Sequence, residues 1–252
     1  MASISISERE QTILEILSDD SSATVTDISG RLEVSTVTIR NDLAGLAEKG
    51  LIVRTHGGAI PAFHPSISTR QHDNVKAKMR IAKAAAALVR DGDTIMIEAG
   101  TTTALVAKYL LGKRDVHVVT NSTLIIPHAR FNPGMQLTVV GGEFRPATES
   151  MVGPVALRDL EQFHVRLAFI GTDGFSLQAG LTTHLVEGAE IVRKMAAQAE
   201  MTVLVADSTK YGRIGFVRVL PIAGVHQMIT DSDMKPETIR ELHEAGPAII
   251  TA

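Results

Sequence analysis

The sequence predicts an α/β protein in two parts, a small helical unit closed by a hairpin and a larger domain built on a mainly parallel sheet. Three observations predict it. Residues 7–60 show short amphipathic helical segments followed by an alternating strand, a Gly-Gly turn and a second strand. From Val75 onward, apolar runs alternate with segments of helical spacing, the pattern of a sheet covered by helices on both faces. Polar loops rich in Gly, Thr and Asp follow those runs directly. At 252 residues the chain is long enough for two such domains.

In the first part, Ser7 is a helix N-cap with Glu10 as its partner three residues on, and Ile13, Leu14, Ile16 and Leu17 form an apolar face. After the polar break "SDDSSA", Thr26 is expected to cap a second helix, "DISGRLE", with Ile28 and Leu32 four apart. Ser35 caps a third helix from Thr36 to about Glu48, whose buried stripe is Ile39, Leu43 and Leu46, and Gly50 ends it. "LIVRTHGGAI" then reads as two strands turning at Gly57–Gly58.

The outer face of the third helix carries Thr36, Val37, Arg40 and Asn41, with Ser35 and Thr38 at its start. Short hydroxyls, an amide and one arginine near a helix N-terminus suit phosphate contacts and base edges in a major groove. The bland alternative is a small helical bundle with a polar exterior. A hairpin after the helix-turn-helix makes a winged helix, with Arg54 and His56 placed to approach the DNA backbone. The charge does not advertise such a partner. The chain carries −3 overall, and residues 1–60 hold five Lys/Arg against nine acids. Residues 35–60 alone are +1, so any DNA-facing surface is local and narrow.

"VSTVTIRNDLAGLAEKGLIVRTHGGA" resembles the N-terminal signature of the DeoR family of bacterial transcriptional regulators. The resemblance implies that Ser35, Thr36, Thr38, Arg40 and Asn41 face DNA, and that Asp42 and Leu43 help to fix the helix.

Residues 61–74 hold two prolines and no sustained periodicity, and read as a linker between a DNA-binding domain at 1–60 and a second domain at 75–252. In that domain an alanine-rich helix ends at Gly92. Strands are expected near Thr94–Ile97, Val116–Thr120, Leu137–Val140, Leu167–Ile170, Val203–Ala206, Met228–Thr230 and Ala248–Thr251, with helices between most of them. This is a Rossmann-like alternation, and ligands of such sheets bind at the C-terminal ends of the strands. Five polar segments sit there: "EAGTTT" (Glu98, Gly100, Thr101, Thr102, Thr103), "TNS" (Asn121), "GGEFR" (Gly141, Gly142, Arg145), "GTDG" (Asp173, Gly174) and "DSTK" (Asp207, Lys210). Gly100 and the threonines suit an anion at a helix N-terminus, Lys210 adds positive charge, and Glu98, Asp173 and Asp207 can accept from hydroxyls. A phosphorylated sugar or sugar alcohol fits that set. Read singly, Asn121 and Asp207 could cap turns and Lys210 could be a solvated loop lysine.

Roughly Lys76 to Ala252 is similar to the DeoR family's effector domain, which resembles sugar-phosphate isomerases of the ribose-5-phosphate isomerase type. Two positions depart from the family's pattern: Glu98 stands where Asp is usual, and Gly188 where Glu is common. The implied protein is a DNA-binding regulator of sugar or sugar-alcohol catabolism, a homo-oligomer (dimer or tetramer) released from double-stranded operator DNA by a phosphorylated effector; activation stays open. The alternative is an isomerase-like enzyme with an accessory DNA-binding domain, since Glu98, Asp173 and Lys210 could serve as acid and base. The regulator is preferred because an isomerase needs no winged helix. No catalytic residue, metal or cofactor is expected: there is no cysteine, and the nine histidines show no metal-binding spacing. With no apolar run of membrane-spanning length and no leader pattern, the expected location is the cytoplasm.

Overall fold

The computed structural model describes residues 6–20, 23–48, 51–55, 58–61 and 67–252. The chain divides into two compact units, 1–73 and 74–252.

The first unit contains helices α1 (Glu8–Asp19), α2 (Val25–Leu32) and α3 (Thr36–Glu48), strands β1 (Ile52–Thr55) and β2 (Gly58–Pro61), and the short helix α4 (Ile67–His72). Ser7 and Glu10 cap α1 reciprocally: Glu10 N–H donates to Ser7 Oγ at 3.2 Å, and Ser7 N–H to Glu10 Oε2 at 2.8 Å. The second helix begins earlier than expected. Its cap is Thr24, not Thr26, because Asp27 stands three residues after Thr24 and returns the bond to its backbone N–H at 2.9 Å. Ser29, three residues after Thr26, has no carboxylate with which to do the same. Ser35 caps α3 by accepting from Thr38 N–H at 3.1 Å, while the expected terminator Gly50 lies outside the described residues. Ile39, Leu43 and Leu46 of α3 are fully buried against Ile13, Leu17 and Ile28. Each such side chain contributes about 1.5–3 kcal/mol. In the hairpin Arg54 pairs with Ala59 and Thr55 with Gly58, so Gly58 of the expected turn opens β2, while Gly57 lies outside the described residues. Part of the expected linker is α4, whose Ile67 is buried.

In the second unit the order is α5 (Val75–Ala87), β3 (Thr94–Ile97), α6 (Thr101–Lys108), β4 (Val116–Thr120), α7 (Ile126–Arg130), β5 (Met135–Val139), β6 (Glu143–Arg145), β7 (Ser150–Val152), α8 (Gly153–Glu161), β8 (Val165–Ile170), β9 (Gly174–Ser176), β10 (Gly180–Thr183), α9 (Val186–Ala197), β11 (Ala199–Val205), β12 (Val217–Leu220), β13 (Gln227–Thr230), α10 (Pro236–Glu244) and β14 (Ala248–Thr251). Seven strands form one wholly parallel sheet in the order β14-β13-β11-β8-β3-β4-β5. Alternate residues leave it on opposite faces. Ile95, Ile97, Leu167 and Phe169 pack with Ile81 and Ala85 of α5 and Val106 of α6, whereas Met96, Val119 and Ala168 pack with Leu160 of α8 and Met195 of α9. Burial on both faces explains why these strands read as unbroken apolar runs.

Five short strands were not anticipated: the antiparallel pair β6-β7 and the small sheet β12-β10-β9. All five are three or four residues long and they carry no apolar run. The small sheet depends on backbone proximity instead, since a Cβ on Gly174 would lie 2.3 Å from the carbonyl oxygen of Arg213.

Candidate functional site

On α3, Val37 is 62% exposed, Ser35, Arg40 and Asn41 are exposed, and Thr36 and Thr38 are half-buried. The Ser35 and Thr38 hydroxyls also bond each other at 2.8 Å, so both take part in starting the helix. The first turn of α3 carries no acid, whereas α1 has Glu8 and Glu10 there and α2 has Asp27. The positive end of the α3 dipole is therefore left uncompensated, the arrangement that attracts a phosphate.

A contact the sequence reading missed holds this helix. Arg9 of α1 grips Asp42 of α3 with two bonds, Nε to Oδ2 at 2.7 Å and Nη2 to Oδ1 at 3.0 Å. The hydrogen bond and the charge of Asp42 raise the Arg9 guanidinium above its ordinary value. Arg54 is exposed on β1, and His56 lies outside the described residues.

In the second unit the five polar segments follow β5, β4, β3, β8 and β11, five adjacent strands of one parallel sheet. Strand order reverses between β3 and β8, the kind of point at which ligands of parallel sheets bind. Glu98 spans that point: it follows β3, and its Oε2 accepts from Gly171 N–H, just past β8, at 3.1 Å. Gly100 caps α6 in extended backbone, and a Cβ there would meet Thr103 Oγ1 at 2.9 Å. Thr103 is wholly buried and returns its hydroxyl to Gly100 O at 3.0 Å. Thr101 and Thr102 remain half-exposed at the start of a helix whose first turn carries no acid. Of the three threonines, two face outward.

The other segments divide between contact and support. Asn121 is 2% exposed, accepts from Ala99 N–H at 3.0 Å and donates to Met151 O at 3.1 Å. It ties the ends of β3 and β4 to the β6-β7 hairpin. Gly141 N–H donates to Asp159 of α8 at 2.8 Å, and Gly142, at φ +132°, would place a Cβ 2.6 Å from Val152 O. Arg145 pairs with Glu187 at the start of α9 at 2.8 Å and with Glu143 at 3.4 Å, so its charge is matched within the protein. Asp173 Oδ2 accepts from Thr183 Oγ1 at 2.7 Å and His184 N–H at 3.1 Å, and Gly174 is buried in β9. Asp207 is 2% exposed and Lys210 half-buried, joined in one 3-10 turn in which Lys210 N–H donates to Asp207 O at 3.0 Å.

Asp231, after β13, supports that turn and was missed, although an apolar strand followed by Asp is the same signal that marked the other loops. Burial pushes its carboxyl up, but bonds from Ser208 N–H (2.7 Å), Ser208 Oγ (2.8 Å) and Asp233 N–H (3.0 Å) outweigh burial and hold it below the ordinary range. Among the described residues, no group of three or more His, Asp or Glu is arranged to hold a metal ion.

Two family models match consecutive stretches of the chain: the DeoR-like helix-turn-helix domain over residues 9–62 and the DeoR C terminal sensor domain over residues 73–232. The chain belongs to the DeoR family. A putative aga operon transcriptional repressor of Escherichia coli O157:H7 is 32% identical over 250 residues, covering 97% of this chain and 93% of the relative. The HTH-type transcriptional regulator GlpR of Haloferax volcanii is also 32% identical, covering 96% of each. The HTH-type transcriptional repressor CsqR of Escherichia coli K12 is 30% identical, covering 92% of this chain and 90% of the relative. In this chain the helix-turn-helix domain precedes the sensor domain. Ribose 5-phosphate isomerase A of Methanocaldococcus jannaschii is 20% identical over 55% of each chain with a TM-score of 0.40, a likeness too slight to bear on activity. No helix among the described residues is long and apolar enough to cross a membrane.

Proposed function

We propose that this DeoR-family regulator is a cytoplasmic repressor of a sugar or sugar-alcohol catabolic operon, and that a phosphorylated sugar or polyol releases it from its operator. The observation that carries the reading is the switch point between β3 and β8, where Glu98 bridges to Gly171 beside the acid-free, threonine-rich start of α6, and the effector crevice lies at that point. The phosphate sits on the N–H groups of Gly100, Thr101 and Thr102. Glu98, Asp173 and Lys210 face the hydroxylated part of the ligand, while Thr103, Asn121, Gly141, Gly142, Arg145, Gly174 and Asp207 shape the walls. Ser35, Thr36, Val37, Thr38, Arg40 and Asn41 meet the major groove, and Arg54 and His56 the backbone. A homo-oligomer sets two recognition helices on half-sites about one helical turn, or a multiple of it, apart.

A thermal-shift panel of pentose, hexose and polyol phosphates, each beside its unphosphorylated parent, tests the reading. A ligand at about 100 times its dissociation constant stabilises by ~2.7 kcal/mol, a rise of about 5–10 °C for a unit of this size. Replacing Thr101 and Thr102 by Val should abolish that rise and leave operator binding intact. A panel in which parents and phosphates shift the protein equally, or a double variant that responds like wild type, sinks the phosphate site.

A further inference from the structure

Asn74 is the first residue of the second unit, directly after the chain leaves the first. It stands at the N-cap of α5, a position where asparagine ordinarily bonds its own helix, yet its side chain makes no capping bond. Its backbone is left-handed, φ 49° and ψ 34°, a conformation disfavoured for any residue with a Cβ and least so for Asn and Asp. The side chain instead reaches more than 130 positions along the chain. Nδ2 donates to Asp207 Oδ1 at 3.1 Å and to Thr209 Oγ1 at 3.3 Å. Both partners belong to the turn after β11 that carries Lys210. The far side of the turn is fixed, because Ser208 donates its N–H and its hydroxyl to the buried Asp231. On the near side, Asp207 also accepts from Thr209 N–H at 3.2 Å.

We propose that Asn74 is the coupling residue of this regulator, clipping the start of α5, where the second unit begins, to the Lys210 turn of the effector crevice. The proposal rests on the effector reading given above. A ligand that engages Lys210 holds the turn, and the turn holds Asn74 left-handed at the start of α5. Without the clip, Asn74 returns to an ordinary backbone conformation and the first turn of α5 loosens. The clip is thus a two-state element whose balance both ends bias, which is what energetic coupling between distant sites requires.

The test is hydrogen exchange of the full-length protein, read on peptides covering 73–78 and 98–103. Asn74→Gly accepts the left-handed backbone and removes only the amide, so the fold stays intact and exchange at 73–78 rises several-fold. Asn74→Asp sets a second carboxylate beside Asp207 and has the same effect. Ser208→Ala, which loosens the far side of the turn, speeds exchange at 73–78 in the Asn74 background and adds nothing in Asn74→Gly. Unchanged exchange in Asn74→Gly, or a Ser208→Ala effect of equal size in both backgrounds, overturns the proposal with no ligand involved.

A second arm adds D-ribose 5-phosphate, D-fructose 6-phosphate or glycerol 3-phosphate. A probe that protects 98–103 should slow exchange at 73–78 in wild type and not in Asn74→Gly. Protection of both peptides in the variant refutes the coupling. Failure of every probe to protect 98–103 counts against the phosphate reading alone, since the ligand-free arm still decides the clip.

Discussion

Glu98 offers the sharpest perturbation, because its role depends on reach. Its carboxylate crosses from the end of β3 to Gly171 N–H at 3.1 Å. Glu98→Asp withdraws that carboxylate by one C–C bond, about 1.5 Å, which takes the contact beyond hydrogen-bonding range. A hydrogen bond to a charged group contributes about 1.5–3 kcal/mol. Glu98 is only half-buried, so the lower part of that range applies, about 1.5–2 kcal/mol. For a unit of this size each kcal/mol moves the melting midpoint by about 2–4 °C, so the Asp variant should melt about 3–8 °C below wild type. Glu98→Gln keeps the length, and its amide oxygen still accepts from Gly171, so it should lose about half as much. Calorimetry of the three proteins, following the transition of the second unit, gives the order wild type, Gln, Asp. An Asp variant melting within about 1 °C of wild type, or a Gln variant less stable than Asp, refutes the strut. That second order would mean that charge matters at this position and span does not.

Arg40→Ala should weaken operator binding about evenly across sequences and reduce the slope of log affinity against log salt by ~1 if Arg40 meets a phosphate; a sequence-dependent loss assigns it to a base instead. Arg9→Gln removes the bidentate grip on Asp42, so operator affinity should fall while thermal shifts by sugar phosphates stay unchanged; an unaltered operator affinity removes Arg9 from the positioning of α3. Asp231 is held below its ordinary value of 3.8 in the folded state. It therefore contributes stability above that value, and the contribution is lost as pH falls through the lower folded value. Denaturant titrations from pH 6 downward should show stability falling below about pH 4, less steeply in Asp231→Asn; equal slopes would remove Asp231 from acid sensitivity.

Most of the framework was legible because its signals are local. The central strands of the sheet are buried on both faces and stand out as apolar runs, and the bounds of β3, β4, β14 and α10 fall where the sequence places them. The capping pattern at Ser7 is carried by two residues three apart, so sequence suffices. The same rule misplaced the next cap because Thr24 and Thr26 both fit a bare N-cap, and only Thr24 has the carboxylate that completes the pair. What stayed hidden is non-local. Arg145 was expected among the effector residues, and its pairing with Glu187, 42 positions on, could not be read from sequence. Asn121 and Thr103 were expected among the effector residues, and their burial and bracing bonds to Ala99 and Gly100 could not be read from sequence. The hairpin β6-β7 and the sheet β12-β10-β9 are held by backbone pairing and close glycine approaches, which leave no hydrophobic period to read.

The pairing of Arg145 has a consequence for how the two ends of this regulator respond to salt. With that arginine neutralised by Glu187 and Glu143, the proposed phosphate site draws its attraction chiefly from the N–H groups opening α6. Backbone dipoles act at contact distance, where screening over a Debye length of about 8–10 Å has little purchase. Operator binding is different in kind. The cations proposed for it, Arg40 and Arg54, are exposed side chains, and each phosphate that such a side chain neutralises contributes about −0.9 to the salt slope. Raising salt should therefore weaken operator binding steeply while effector affinity, measured by calorimetry on the same protein, changes little. Parallel slopes for the two ligands would mean that side-chain charge dominates the crevice as well, and would return Arg145 to the list of residues that meet the phosphate.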